Sequence, residues 1–310
     1  MLYISNIIDA SNIEVSNSKT HEKITISIEE ARRLGRVYGL GRNKVTSVYN
    51  NVSDFLAQYT MRQKLSAQAE LSYSYTGTEI ILECCYTDTV KSVVIPDFVD
   101  KIMDFCFFNC SALKSIVIPN SVHTLDVSCF ANCISLESIT IPDSVKSINK
   151  SCFEGCSSLR SVTLPKTLEQ LGISCFCNCS SLESINIPDS VKGELGMHSF
   201  SGCVSLKSVN LPESITLIGD SCFKHCISLE SIHIPISVTA IRSSSFCGCT
   251  SLKSIDITSV TSLGAYCFKD CISLSSIQGY SSVRVIGHSC LQNTALPILP
   301  FESRCKEGTR

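Results

Sequence analysis

The chain has 310 residues, of which 44% are hydrophobic and 17% charged, with a formal net charge of −2. That balance suits a soluble globular chain with material for a large core, and it argues against broad nucleic-acid or membrane binding. No stretch approaches the length of a membrane-spanning helix, and residues 1–19 lack the basic start and apolar run of an export signal.

Residues 1–69 read as a small α-rich domain. Ile24-Thr25-Ile26 has the alternation of a short strand. Ser27 with Glu30 forms a capping box that opens a helix running to Tyr38, and Gly39 or Gly41 would end it. Residues 42–49 suit a second helix. Ser53 caps a third over 54–68, with Phe55, Leu56, Tyr59 and Leu65 on its apolar side. Two helices about a glycine turn, carrying basic residues that include Arg42 and Lys44, faintly resemble a helix-turn-helix. On that reading Arg42 and Lys44 meet nucleic acid. On the plainer one they are solvated, and the domain docks the chain to something larger. Residues 70–90 read as a β-hairpin cap, with strands at 71–75 and 79–84 and Thr76-Gly77-Thr78 as the turn.

From residue 91 to 296 the chain repeats itself. Nine copies follow without a gap, most of them 23 residues long. Copy 183–206 has one residue more and copy 253–274 one fewer, both changes falling between a valine column and a phenylalanine column. Copy 137–159, ESITIPDSVKSINKSCFEGCSSL, serves as the reference. Ile139 and Ile141 alternate with Ser138 and Thr140, so one short strand buries the isoleucines. Pro142 ends that strand and Asp143-Ser144 turns it. Val145 and Ile148 return to the interior on a second short strand. Residues 151–156 suit one helical turn that points Phe153, Cys156 and Leu159 inward. One copy cannot bury such a face, whereas nine stacked copies share a continuous core, about 40 Å long at a strand spacing of roughly 4.8 Å.

The pattern I-x-I-P-x-S-V-x-x-I-x-x-x-x-F-x-x-C-x-S-L resembles the BspA-like leucine-rich repeats. The resemblance implies a repeat solenoid, β-rich with a parallel strand stack. It implies a non-enzymatic protein-binding role, since many such proteins of anaerobic bacteria and protist parasites resemble adhesins or surface antigens. The chain departs from the family where alanine usually precedes the phenylalanine. Cys129, Cys152, Cys175, Cys222, Cys267 and Cys290 stand there instead.

The columns carry different expectations. The first alternates in sign through Glu137, Arg160, Glu183, Lys207, Glu230 and Lys253, which suits register between neighbouring copies, while Lys91 and Lys114 would repel. The second is serine in every copy and reads as a small-residue ladder. The fourth is the varied outward one: Val94, Val117, Thr140, Thr163, Asn186, Asn210, His233, Asp256 and Gln278. Structural positions of a repeat stay fixed while partner-facing positions differ. This column is therefore the expected contact surface for a protein partner.

Twenty cysteines are the strongest compositional signal, most of them in C-F-x-x-C pairs. Zinc would need closed sets of four ligands, which a ladder interrupted by Ser199, Ser245 and Thr294 does not offer. Disulfides between rungs would need an oxidising compartment. Free thiols acting as small buried hydrophobes, the second of each pair bonding backbone, fit best. No metal or cofactor is expected. Histidines are scattered over several columns, His225 beside Cys226 among them, and no catalytic motif is present. The sequence therefore reads as a non-enzymatic interaction scaffold in the cytoplasm, or at the cell surface by a non-classical route. The other two readings are a structural or assembly component docked by its N-terminal domain and a DNA-tethered interaction protein.

Overall fold

The computed structural model describes residues 90–297, apart from Pro96 and Phe98, together with the backbone of five strands before them. Three of those strands, Leu2–Ile7, Asn12–Asn17 and Lys23–Ser27, form an antiparallel sheet in that order. The third contains the expected Ile24-Thr25-Ile26. The sequence reading had missed the first two, although Leu2/Ile4 and Ile13/Val15 carry the same alternation. The helices expected at 29–38, 42–49 and 54–68 lie outside the described residues, as do Arg42 and Lys44.

The repeats stack as coils of a parallel β-solenoid, each contributing two short strands. The first strands pair in register two coils at a time, as in Ser138–Thr140 with Ser161–Thr163 and Ser184–Asn186 with Ser208–Asn210. Its central residue is buried and its flanks exposed in most coils, as the alternation of serine, isoleucine and threonine demands. The second strands build longer ladders. The hairpin Leu71–Tyr75 with Ile80–Cys85 joins one of them, Ile81 opposite Lys101 and Leu82 opposite Ile102.

The expected helical turn is absent, and among the described residues the sole helix is the single 3-10 turn Tyr280–Ser282. The reason is the direction of the hydrogen bonds. Ser151, Phe153 and Gly155 donate their N–H groups to Ile173, Cys175 and Cys177 of the next coil at 2.8–2.9 Å. Glu154 and Cys156 donate three residues back, to Ser151 and Phe153. A helix would spend these donors within its own coil, whereas here alternate donors bind the coils together. The geometry needs left-handed backbone at two places per coil, Ser151 at φ 55° and Gly155 at φ 72°. At the second place a side chain is tolerated in some coils. At Gly155 a Cβ would meet Asn132 Oδ1 at 2.2 Å and oblige that side chain to turn aside.

The core is a set of columns. Val145, Ile148, Phe153, Cys156 and Leu159 are fully buried, and their counterparts recur along the stack. Eight phenylalanine rings from Phe107 to Phe268 stack coil upon coil, with centroids 5.1–5.7 Å apart and planes within 15° of parallel.

The extra residue of copy 183–206 leaves a mark on this regularity. The second-strand ladder is continuous up to Gln170–Leu171 and begins again as a separate sheet at Gly193–Leu195. Gly193, at φ 83°, takes the bulge. In the other coils the residue after the second strand donates to the coil before it, Gly172 to Ile148 and Gly219 to Leu195, at 2.8 and 2.9 Å. The equivalent bond from Gly196 to Leu171 is not made. A Cβ on Gly172, Gly219, Gly264 or Gly287 would lie 2.1–2.7 Å from the backbone of the preceding coil; on Gly196 it would lie 3.4 Å from that of Ile173. The coils therefore part on this side, while Ser174, Phe176 and Asn178 still donate across the same junction to Met197, Ser199 and Ser201.

Candidate interaction surface

The varied column stands on the outer side of the first-strand ladder. Val94 is half-buried; Val117, Thr140, Thr163, Asn186, Asn210, His233, Asp256 and Gln278 are exposed. Strand register sets the neighbours: Val94 faces Val117, Thr140 faces Thr163, Asn186 faces Asn210, and Asp256 faces Gln278. Val117, 57% exposed, marks an apolar end of the row. Towards the other end the side chains interact with one another and with the turns. Asn210 Nδ2 donates to Asn186 Oδ1 at 2.6 Å. His233 Nε2 lies 3.6 Å from Glu213 Oε1. Asp256 accepts from the hydroxyl and N–H of Thr258 at 2.6 and 2.9 Å, and these bonds hold its carboxyl below the usual range.

The first column flanks this row with exposed ion pairs between neighbouring coils: Lys114 with Glu137 at 3.8 Å, Lys207 with Glu183 at 3.2 Å, and Lys253 with Glu230 at 2.7 Å. Lys114, expected to repel Lys91, instead reaches forward to Glu137. The pairs lock neighbouring strands side by side at the cost of little desolvation. A further set of register bonds escaped the sequence reading. Ser121, Ser144 and Ser237, from the turn after the proline column, donate to carbonyls of the preceding coil at 2.6 Å. The recurring serine after the turn residue was the signal for them.

All 17 described cysteines are free thiols. Those of the second column donate to the backbone of the coil before: Cys156 Sγ to the Phe130 carbonyl, Cys179 to Phe153 and Cys249 to Phe223, each at 3.1 Å. The first column lies deeper. Cys129 and Cys152 place their sulfurs 3.2 Å apart, and Ser199 and Ser245 fill the same column by bonding nearby carbonyls. Burial pushes the Cys175 and Cys222 thiols well up. Such thiols are neutral packing groups rather than nucleophiles. His225 is exposed on its turn while the Cys226 sulfur is buried against the Phe200 carbonyl, so the two adjacent side chains do not meet. No helix of the described residues is long and apolar enough to cross a membrane.

The family model for the BspA type leucine rich repeat region, in six copies, matches residues 78–194 and 193–307. A leucine-rich repeat protein from Bacteroides ovatus is 27% identical, over 74% of this chain and 80% of that one, with a TM-score of 0.49. One from Eubacterium ventriosum is 20% identical, over 68% of this chain and 61% of that one, with a TM-score of 0.52, a likeness of fold. A leucine rich cell surface protein from Faecalibacterium prausnitzii is 20% identical over 69% of this chain and 95% of that one, with a TM-score of 0.29. Nothing among the curated proteins matches the sequence.

Proposed function

Because the chain belongs to the BspA type leucine-rich repeat family, we propose that it is a non-enzymatic protein-interaction scaffold that binds its partner along the first-strand face. The observation that carries this reading is the exposed row from Val117 to Gln278. It stands in register on paired first strands, and of the two outward positions of that strand it is the one whose chemistry changes from coil to coil, the other being serine throughout. A solenoid holds such a row fixed, so a partner meets preorganised side chains and little ordering cost is added on binding. The apolar start and polar end give the row a direction, which fixes the orientation of an elongated partner. The burial of the cysteines against backbone carbonyls suits thiols kept in a reducing compartment, and the cytoplasm is the location we propose. A cell-surface location would show as antibody labelling of intact cells.

A photo-crosslinking residue at Asn186, Asn210 or Thr140 of the full chain tests the face. A crosslinked partner is expected from those positions and not from Ile227, which is exposed on the turn side of the same coils. Equal crosslinking from Ile227, or a partner retained after Asn186→Lys with Asn210→Lys, would overturn the proposal.

A further inference from the structure

The two ladders end differently where the array begins. The second-strand ladder runs on past Lys101–Ile102 into the hairpin of Ile80–Cys85 and Leu71–Tyr75, so its edge there is paired. The first-strand ladder stops at Ser92–Val94, whose one strand partner among the described residues is Ser115–Val117. The bonds to that partner fix which groups are left over. Ile95 donates its N–H to the Val117 carbonyl at 3.0 Å, and the Lys91 carbonyl accepts from Lys114 and Ser115 at 2.7 and 3.2 Å. Residues 91, 93 and 95 therefore turn their backbone groups towards the second coil, and alternation turns the N–H and C=O of Ser92 and Val94 to the open edge. Ser92 is exposed and Val94 half-buried. Val93 and Ile95, which point inward, are each 1% exposed, so the core at this end is already closed. Lys91 stands exposed at the start of the edge with no ion pair among the described residues, while Lys114 on the next coil reaches Glu137.

We propose that this edge is a second binding site that takes an extended, acidic segment of a partner protein as one further parallel strand. The array shows the same fit at a junction farther along. There Glu183-Ser184-Ile185-Asn186 lies in register one rung before Lys207-Ser208-Val209-Asn210, with Lys207 Nζ 3.2 Å from the Glu183 carboxylate. Lys253 likewise holds Glu230 one rung before it, at 2.7 Å. Lys91-Ser92-Val93-Val94 repeats the Lys207 side of that junction, and no described first strand precedes it. An incoming strand in the same register bonds Ser92 and Val94 through its backbone. It sets a carboxylate beside Lys91 and an apolar side chain beside Val94, and needs only small residues over the closed core. A whole coil of a second copy would meet the hairpin that already occupies the neighbouring ladder, so the site suits a single strand. The opposite edge of the array, Ser276–Gln278, begins with the neutral Ser275 and makes no such selection.

The test is a titration of the isotope-labelled full chain with the capped peptide Glu-Ser-Ala-Val-Ala, read from the amide signals of Ser92 and Val94. Both signals should shift saturably. Methylating the backbone nitrogen of the first alanine removes a ladder donor and should abolish the shifts. Glutamine in place of the glutamate should weaken binding about threefold, the size of an exposed ion pair. Lys91→Glu should reverse the preference, so that Lys-Ser-Ala-Val-Ala binds tighter than the glutamate peptide. Val94→Pro removes an N–H that faces the open edge and leaves the pairing with the second coil intact. With Ser92 as the reporter it should abolish binding, at an unchanged circular dichroism spectrum. Absence of saturable shifts, equal binding of the methylated peptide, or an unreversed preference in Lys91→Glu would overturn the proposal. Asn186→Lys with Asn210→Lys leaves this binding unchanged, which separates its failure from that of the row.

Discussion

Raising the pH should unfold this array well before it unfolds an ordinary domain. Ten buried thiols between Cys129 and Cys267 hold their protons more tightly in the folded chain, because desolvation disfavours the thiolate. Cys271, nearer the end of the array, is pushed up to about 12 by the same cause. A thiol with a raised folded value contributes its full stability below the unfolded value of about 8.5, and loses it as the pH climbs towards the folded one. At pH 9.5, one unit above the unfolded value, each thiol that stays protonated in the fold costs roughly 1 kcal/mol. Ten of them cost on the order of 10 kcal/mol, the size of a domain's entire stability of about 5–15 kcal/mol. Urea unfolding followed by far-ultraviolet circular dichroism, with reductant present, should show a midpoint that falls steeply between pH 8 and 9.5. Cys222→Ser copies what Ser199 and Ser245 already do in the same column, and should remove one proton's share of that slope. An equal urea midpoint at pH 7 and pH 9.5 would refute the reasoning.

Phe176→Ala should cost about 3–5 kcal/mol for the buried ring, and somewhat more for its two stacked neighbours, Phe153 and Phe200 at 5.4 and 5.7 Å. In a stacked array this loss weakens two junctions at once, so urea unfolding should broaden or split into two transitions. Deletion of Gly193 should restore the bond between Gly196 and Leu171 and slow hydrogen exchange at Gly196, with a gain of about 1 kcal/mol per hydrogen bond regained. Among the 17 described cysteines, thiol labelling of the native chain followed by peptide mapping should find Cys177 and Cys247 first, since they are the least buried, and the other described cysteines only after denaturant is added. Lys253 bonds and attracts the Glu230 carboxylate and holds it below the usual range. Its small stabilisation is therefore present above about pH 4 and lost on further acidification, and Glu230→Gln should lower the melting temperature slightly at pH 7 but not at pH 3.

Most of the solenoid was legible because a repeat multiplies every weak signal. Ile139, Val145, Phe153 and Leu159 each recur in column, and a column of apolar residues at fixed spacing can only be core. The backbone thiol bonds were legible for the same reason: a cysteine that recurs on a turn has carbonyls within reach in every coil. The helical turn was misread because Phe153, Cys156 and Leu159 fall three apart, which a helix and a chain of tight turns both satisfy. What decides between them is left-handed backbone at Ser151, a conformation that serine does not announce in a sequence. The extra residue of copy 183–206 was visible, but its effect on the ladder was not, since a bulge can be absorbed without parting strands. The candidate row from Val117 to Gln278 was named from its variability alone. Its exposure and its ion-paired flanks belong to the fold.

The interruption at Gly193 also gives the array a mechanical weak plane. Elsewhere each coil is riveted to the next along the second strand and the turn segment, and at some junctions along the first strand as well. At this junction neither strand pairs across, since Ser161–Thr163 and Ser184–Asn186 belong to different sheets, and the load passes through the bond from Glu183 to Arg160 and the turn bonds of Ser174, Phe176 and Asn178. Force applied along the stack should therefore tear the molecule here first, leaving two blocks that each keep their own phenylalanine pile and thiol ladder. A single surplus glycine thus sets where a long, uniform rod breaks.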